Sequence, residues 1–255
     1  MADIYQYRGD TAKEKEFRDL QAKCKEEYNK LFWDESKGRY ISSVNINGER
    51  MDFGYTFLNF EAVEAGLASP EQAKLIADWV DGNRIIEGDT SQGEDIYGAF
   101  GYGARTNTID VSTIGPPYYY WDHDGALDPG PGGAAHYGGN AQNGGSIFYP
   151  VYYDLMGRLK MLGPDAARTK FQDIIDEFMI DEIRRFDYGS GGPQGVIGEF
   201  PESGMVPLIF LDGFVGIDRD YRGLKIEPRL PSTMTYAGVS YYNFNNKIYN
   251  ITVSN

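Results

Sequence analysis

Two carboxylates stand three residues apart in the segment GEFPESG, residues 198–204, and could carry out acid–base chemistry. Glu199 precedes an aromatic residue and a proline, and Glu202 follows them, directly before a long apolar run. Positioned carboxyl groups can donate a proton to a reacting bond or accept one from it. A carboxylate at this place also has a plain structural explanation, because it meets the positive N-terminal end of a helix dipole. The spacing alone leaves both interpretations open.

A second group of candidate residues lies in the glycine-rich segment 83–142, which has little helical or strand periodicity. Loops of this length inside a compact domain are more often functional than idle. Residues 118–121 are three tyrosines and a tryptophan, and the sequence Asp-His-Asp-Gly follows at 122–125. The acidic residues suggest calcium, but the glycine does not fit the position that an EF-hand loop requires, so we expect no metal. No pattern pairs the two histidines of the chain with a serine or cysteine nucleophile, which argues against a hydrolase triad.

Composition restricts the partners of the chain. The net charge of -14 should repel nucleic acid and anionic membranes, and we expect neither as a partner. No apolar stretch approaches the roughly 20 residues that a membrane-spanning helix needs. No phosphate-binding loop motif occurs among the 32 glycines, and we expect no cofactor. The N-terminal residues contain no signal-peptide core, and the single cysteine, Cys24, leaves the compartment unknown.

Apolar residues at helical spacing predict the elements that must position these side chains. Hydroxyl residues followed by Glu or Gln three positions later, at Thr11 and at Ser69, predict capping boxes. The tail changes to period two, which predicts strands after about residue 221. The predicted helices cover about 11–33, 56–67, 70–80, 147–162, 164–183 and 203–215.

Three of these segments, 52–80, 142–175 and 202–231, resemble in order three parts of the six-hairpin glycosidases. The first begins DFGYTFLNFEAVEAGL, the second QNGGSIFYPVYYDLMG, and the third ESGMVPLIFLDGFVG. Those enzymes are built on an (α/α)6 toroid of twelve helices, of which this chain has about half. The resemblance therefore implies a mainly α fold with a helical-hairpin domain over 1–220, which includes the loop 83–142, and a C-terminal β segment over 221–255.

The same resemblance implies hydrolysis of glycosidic bonds by a carboxylate acid and base. GEFPESG is similar to the segment that carries the general base in some of these families, although here the proline directly follows the aromatic residue. By this similarity Glu199 is the base, and its partner lies some 6.5–9.5 Å away in an inverting enzyme. The acid is then Asp52, a loop carboxylate such as Asp95 or Asp124, or a residue absent from this chain. Without the resemblance, Glu199 is a solvated loop carboxylate and Asp52 caps the N-terminus of a helix.

The resemblance also implies a sugar-binding surface and a carbohydrate substrate. A half-toroid leaves apolar helix faces uncovered, so we expect a second copy or a partner chain that completes the toroid. The alternative function, from a different class, is a non-catalytic carbohydrate-binding or assembly subunit. The residues expected to contact the sugar are Tyr55, Asn59, Asp95, Trp121, Asp122, Gln142, Asn143 and Glu202.

Overall fold

The computed structural model describes residues 1–98, 103–110, 137, 143–179, 204–220 and 222–255. The chain begins with a helical hairpin of α1 (Ala2–Tyr7) and α2 (Thr11–Phe32). The ring of Tyr5 stacks on that of Phe17, with centroids 5.4 Å apart. Asp10 caps α2, because its carboxylate accepts a hydrogen bond of 3.0 Å from the backbone N of Lys13. The predicted cap at Thr11 is therefore wrong by one residue.

Two short antiparallel hairpins follow α2. Strand β1 (Trp33–Asp34) pairs with β2 (Arg39–Tyr40), and β3 (Ser43–Val44) pairs with β4 (Arg50–Met51). These hairpins place Arg39 and Tyr40 in the interior, where both are almost fully buried.

Four helices form the main body of the described fold. They are α3 (Thr56–Glu64), α4 (Pro70–Val80), α5 (Pro150–Met161) and α6 (Pro164–Met179). Helix α5 packs along α3 on one side and along α6 on another. The predicted capping box of α4 is confirmed, because the Ser69 hydroxyl accepts from the Gln72 backbone N and the Gln72 side chain accepts from the Ser69 backbone N.

The hydrophobic core lies where these helices meet. Burial of such side chains stabilises the fold by about 1.5–3 kcal/mol each. The largest apolar side chains in it, all under 2% exposed, are Trp79, Tyr40, Phe60, Phe148, Phe214 and Leu155.

A π-helix and four strands complete the chain. The π-helix (Ile209–Val215) occupies part of the segment predicted as the sixth helix. After it, β5 (Ile217–Asp220) pairs with β6 (Gly223–Ile226), and β7 (Tyr236–Phe244) pairs with β8 (Lys247–Ser254), all antiparallel. The predicted change from helix to strand in the tail is confirmed.

The prediction of a mainly α fold built as half of an (α/α)6 toroid is wrong. In the described part of the chain, helices share the fold with four two-stranded antiparallel sheets, so the class is mixed α and β. Six of the eight strands are two to four residues long, and alternation cannot be recognised in segments so short.

None of the described helices is long and apolar enough to cross a bilayer.

Candidate functional site

Three extended segments meet at the N-terminal ends of α3 and α5 and form the best candidate site. Backbone hydrogen bonds join Thr56 N to Thr106 O at 2.9 Å and Thr106 N to Gly145 O at 2.8 Å. The middle segment therefore lies between the other two. We call the three segments together the loop platform, and it consists of residues 53–56, 105–110 and 143–146.

Two asparagine side chains hold the loop platform together. Asn107 accepts a hydrogen bond of 2.7 Å from Gly144 N and donates one of 3.3 Å to the Oδ1 of Asn143. Asn143 donates in turn to the Oδ1 of Asp110 at 3.1 Å. Asp110 and Asn143 flank the segment 111–142, and this hydrogen bond joins them at the platform.

Aromatic rings lie beside these amides. The ring of Tyr55 packs between Phe53 and Phe57, with centroids 5.7 Å and 5.0 Å away. Tyr55 is the N-cap residue of α3 and is only partly buried. An aromatic ring in this setting offers a flat apolar face together with a polar hydroxyl.

A second tyrosine closes the other side of the loop platform. The hydroxyl of Tyr137 donates to Asn107 O at 3.2 Å and lies 3.0 Å from the hydroxyl of Thr90. The Arg105 guanidinium lies 5.4 Å from the centroid of the Tyr137 ring. Burial raises the pKa of the Tyr137 phenol, and the hydrogen bond with Thr90 offsets part of that rise. The hydroxyl is therefore protonated at neutral pH.

A buried charge network lies beneath the platform. Arg39 donates from Nη2 to the Oδ2 of Asp52 at 2.7 Å, and its Nη1 forms a close ion pair with Asp89. Its guanidinium also lies 4.5 Å from the centre of the Trp79 ring. Lys37 adds a second cation to Asp52 at 2.8 Å. The network ties the first hairpin to the segment before α3.

The electrostatics of Asp52 keep its carboxyl group ionised. Burial alone would raise its pKa, but the charge of Arg39 and the hydrogen bond from Lys37 outweigh burial, so the pKa is lowered. A paired, ionised carboxylate is a poor proton donor, which favours a positioning role for Asp52. It does not cap α3 either, because the N-cap residue is Tyr55 and Asp52 accepts from Gly54 N at 2.8 Å.

Asn59 lies in the interior, one turn into α3. It is fully buried, and its side chain accepts from Tyr40 N at 2.8 Å and donates to Tyr55 O at 2.8 Å. These bonds join β2 to the start of α3. Asn59 therefore supports the backbone of Tyr55, the candidate sugar-binding residue, from inside the fold.

Asp95 lies in a different part of the fold from Asp52. Its carboxylate pairs with Lys170 of α6 at 2.6 Å. Lys170 also lies 3.5 Å from Asp81 at the end of α4. The structure therefore brings together Asp52, Tyr55 and Asn143 but places Asp95 in a separate ion-pair cluster.

The other candidates lie outside the described residues. They are the proposed base Glu199, the possible acid Asp124, and the expected sugar contacts Trp121, Asp122, Gln142 and Glu202. Their roles stay predictions.

The sequence did not point to Arg39, Asp89 or Asn107. The partners of Arg39 are 13 and 50 residues away along the chain, so no local pattern joins them.

Among the residues that the structure describes, no group of three or more His, Cys, Asp or Glu side chains is arranged to hold a metal ion. Comparison of the sequence with protein-family models and with curated proteins finds no match.

Proposed function

We propose that the protein binds a carbohydrate chain at the loop platform and hydrolyses its glycosidic bonds. The observation that carries the proposal is a pair of partly buried tyrosines, Tyr55 and Tyr137, which are held at the platform around the hydrogen bonds of the buried Asn107. Sugars present hydroxyl groups to polar side chains and apolar C–H faces to aromatic rings. Ligand sites commonly combine apolar walls with a few positioned polar groups.

The hydrolytic step is supported by the similarity of GEFPESG to the base-carrying segment of six-hairpin glycosidases. In this proposal Glu199 takes a proton from water, and the oxygen of that water attacks the anomeric carbon. A second carboxylic acid donates its proton to the departing glycosidic oxygen. Asp124 is the candidate for the acid, since Asp52 is held in its ionised form by two cations. The similarity lies within one short segment, so the proposed hydrolysis does not depend on a complete toroid of helices.

A non-catalytic binding or assembly subunit is the second candidate function. The described carboxylates in and beneath the platform favour it, because Asp52 and Asp89 are ion-paired and Asp110 accepts from Asn143. Exposed apolar side chains on α2 also favour association with another chain, since Leu20 is 51% exposed and Leu31 is 46% exposed.

A turnover assay separates the two functions. The wild-type protein is incubated with a panel of aryl glycosides and oligosaccharides, and new reducing ends are measured. Loss of a general base lowers the rate by about 10²- to 10⁴-fold, so Glu199→Gln should be nearly inactive. Glu35→Gln makes the same change at an exposed turn and should cleave like the wild type. Binding without turnover would support the second function, and full activity in Glu199→Gln would refute the assigned base.

A further inference from the structure

A polar cleft of about 340 Å³ lies between α5, the π-helix and the β5–β6 ribbon, apart from the loop platform. Backbone hydrogen bonds from Glu227 N to Gly216 O (2.8 Å) and from Arg229 N to Phe214 O (3.0 Å) extend the ribbon to the π-helix. Tyr152, Met156 and Lys160 occupy one face of α5, at four-residue spacing, and form the opposite wall.

Gly216 allows the ribbon to lie close to the end of the π-helix. Gly216 has a φ of 74°, which a side chain would disfavour, and a Cβ here would lie 1.8 Å from Glu227 O. The ribbon and the π-helix can therefore meet only with glycine at this position. π-Helical turns are rare and occur frequently at functional sites.

The charges in the cleft are balanced, and most of them are paired. Asp212 of the π-helix pairs with Arg219 at 2.6 Å, and Glu227 pairs with Lys225 at 2.7 Å. Burial raises the pKa of the Asp212 carboxyl, and Arg219 offsets part of that rise. Paired carboxylates still have oxygen lone pairs to accept further hydrogen bonds. The walls thus offer acceptors for hydroxyl groups without attracting a cation.

One cation and one hydroxyl group in the cleft have no hydrogen-bond partner among the residues that the structure describes. Arg229 is half-buried, and within the described part of the chain its guanidinium makes no hydrogen bond or ion pair, although Glu227 lies close enough to interact with its charge. The Tyr152 hydroxyl likewise has no hydrogen bond among these residues, and burial raises the pKa of its phenol. Both groups are donors, and a guanidinium is suited to bind a carboxylate in a bidentate manner.

We infer that this cleft binds an acidic sugar, a ligand with one carboxylate and several hydroxyl groups. The carboxylate binds Arg229 and the Tyr152 hydroxyl, and the sugar hydroxyls donate to Asp212 and to Asp218, which also lines the cleft. A simple anion would leave these acceptors unused, and a neutral sugar would leave Arg229 without a partner. This inference is independent of the proposed hydrolysis, because no residue of the loop platform lines the cleft.

Isothermal titration calorimetry with D-glucuronate tests the inference, with D-glucose, acetate and glycine as comparison ligands. The wild type should bind D-glucuronate saturably and the other three at least about tenfold more weakly, because each lacks the carboxylate or the hydroxyl groups. Arg229→Gln should weaken D-glucuronate binding about tenfold or more, and Tyr152→Phe, which removes only a hydroxyl, should weaken it severalfold.

The matched control is Arg222→Gln, the same change at an exposed arginine in the turn of the same ribbon. It should bind like the wild type. Absence of D-glucuronate binding, equal binding of D-glucose, preference for glycine, or unchanged binding in folded Arg229→Gln would each overturn the inference. Binding that depends on Arg229 in a protein that cleaves no glycoside would support the cleft and refute hydrolysis.

Discussion

Replacement of Arg39 by methionine should be among the most destabilising single changes in this protein. The Arg39 side chain is fully buried and binds two carboxylates, Asp52 and Asp89, whose side chains are at most 6% exposed. Methionine keeps much of the apolar stem but removes the guanidinium from Trp79 and Asp89, and it leaves Asp52 paired, among the described cations, with Lys37 alone. Removal of one partner from a buried ion pair typically costs about 3–5 kcal/mol. That is a large part of the roughly 5–15 kcal/mol that stabilises a typical domain.

The penalty should depend on pH in a defined direction. In the wild type the pKa of Asp52 is lowered in the folded state, so its pairing stabilises the fold above about pH 4, the ordinary pKa of aspartate. This contribution is lost as the pH falls through the lowered folded pKa. In Arg39→Met, Asp52 loses its main cation, so burial favours its protonated form and its pKa rises. The difference in free energy of unfolding between the two proteins should therefore be largest at neutral pH and should shrink as the pH falls toward and below about 4.

Urea unfolding monitored by circular dichroism gives the free energy of both proteins from pH 3 to pH 8. Arg18→Met is a closely matched control, because Arg18 also contacts two carboxylates, Asp3 at 2.7 Å and Glu14 at 3.3 Å, but its side chain is 45% exposed. Surface ion pairs contribute about 0–1 kcal/mol, so this variant should lose little. Equal losses in the two variants, or a loss in Arg39→Met that does not change with pH, would refute the electrostatic reasoning.

Two further predictions concern local backbone structure, and thermal unfolding checks both. Asp10→Ala should cost about 0.5–2 kcal/mol, whereas Thr11→Ala should be nearly neutral, because Asp10 is the cap of α2; the reverse order would contradict this assignment. Gly54→Ala should be more destabilising than Gly48→Ala. Both glycines have positive φ, which costs an alanine about 1–2 kcal/mol, but only at Gly54 would the added Cβ lie 2.1 Å from the Thr108 hydroxyl. Equal losses would argue against this close packing in the loop platform.

Local signals in the sequence predicted the individual helices well. The Ser69 capping box and the proline that follows it identified the start of α4 at Pro70, because the motif satisfies backbone N–H groups within a few residues. The pattern at Thr11 predicted the wrong cap of α2, because Asp and Thr can both cap a helix and only the backbone conformation decides which of two neighbours does so.

Local sequence signals could not predict how the helices are arranged or which residues form the centre of the candidate site. The resemblance suggested a ring of hairpins, whereas the pairing of β1 with β2 depends on contacts that short sequence patterns do not encode. Asp52 and Asn143 were identified as candidates, but Asn107 was not, because it lies in a segment without periodicity. The Asn107 side chain helps to hold the loop platform together because it donates a hydrogen bond to Asn143, which lies 36 residues later in the chain. Long-range pairing of this kind is decided by the whole fold.

Calorimetric titration with a panel of neutral oligosaccharides tests the central claim, carbohydrate binding at the loop platform. At least one oligosaccharide should bind the wild type. Tyr55→Leu keeps apolar bulk but loses the aromatic face, so it should bind that oligosaccharide about two- to tenfold more weakly, as expected for about 0.5–1.5 kcal/mol of aromatic contact. Tyr236→Leu, at a tyrosine 71% exposed on β7, should bind like the wild type. Failure of every oligosaccharide to bind, or equal binding by Tyr55→Leu and the wild type, would contradict the account.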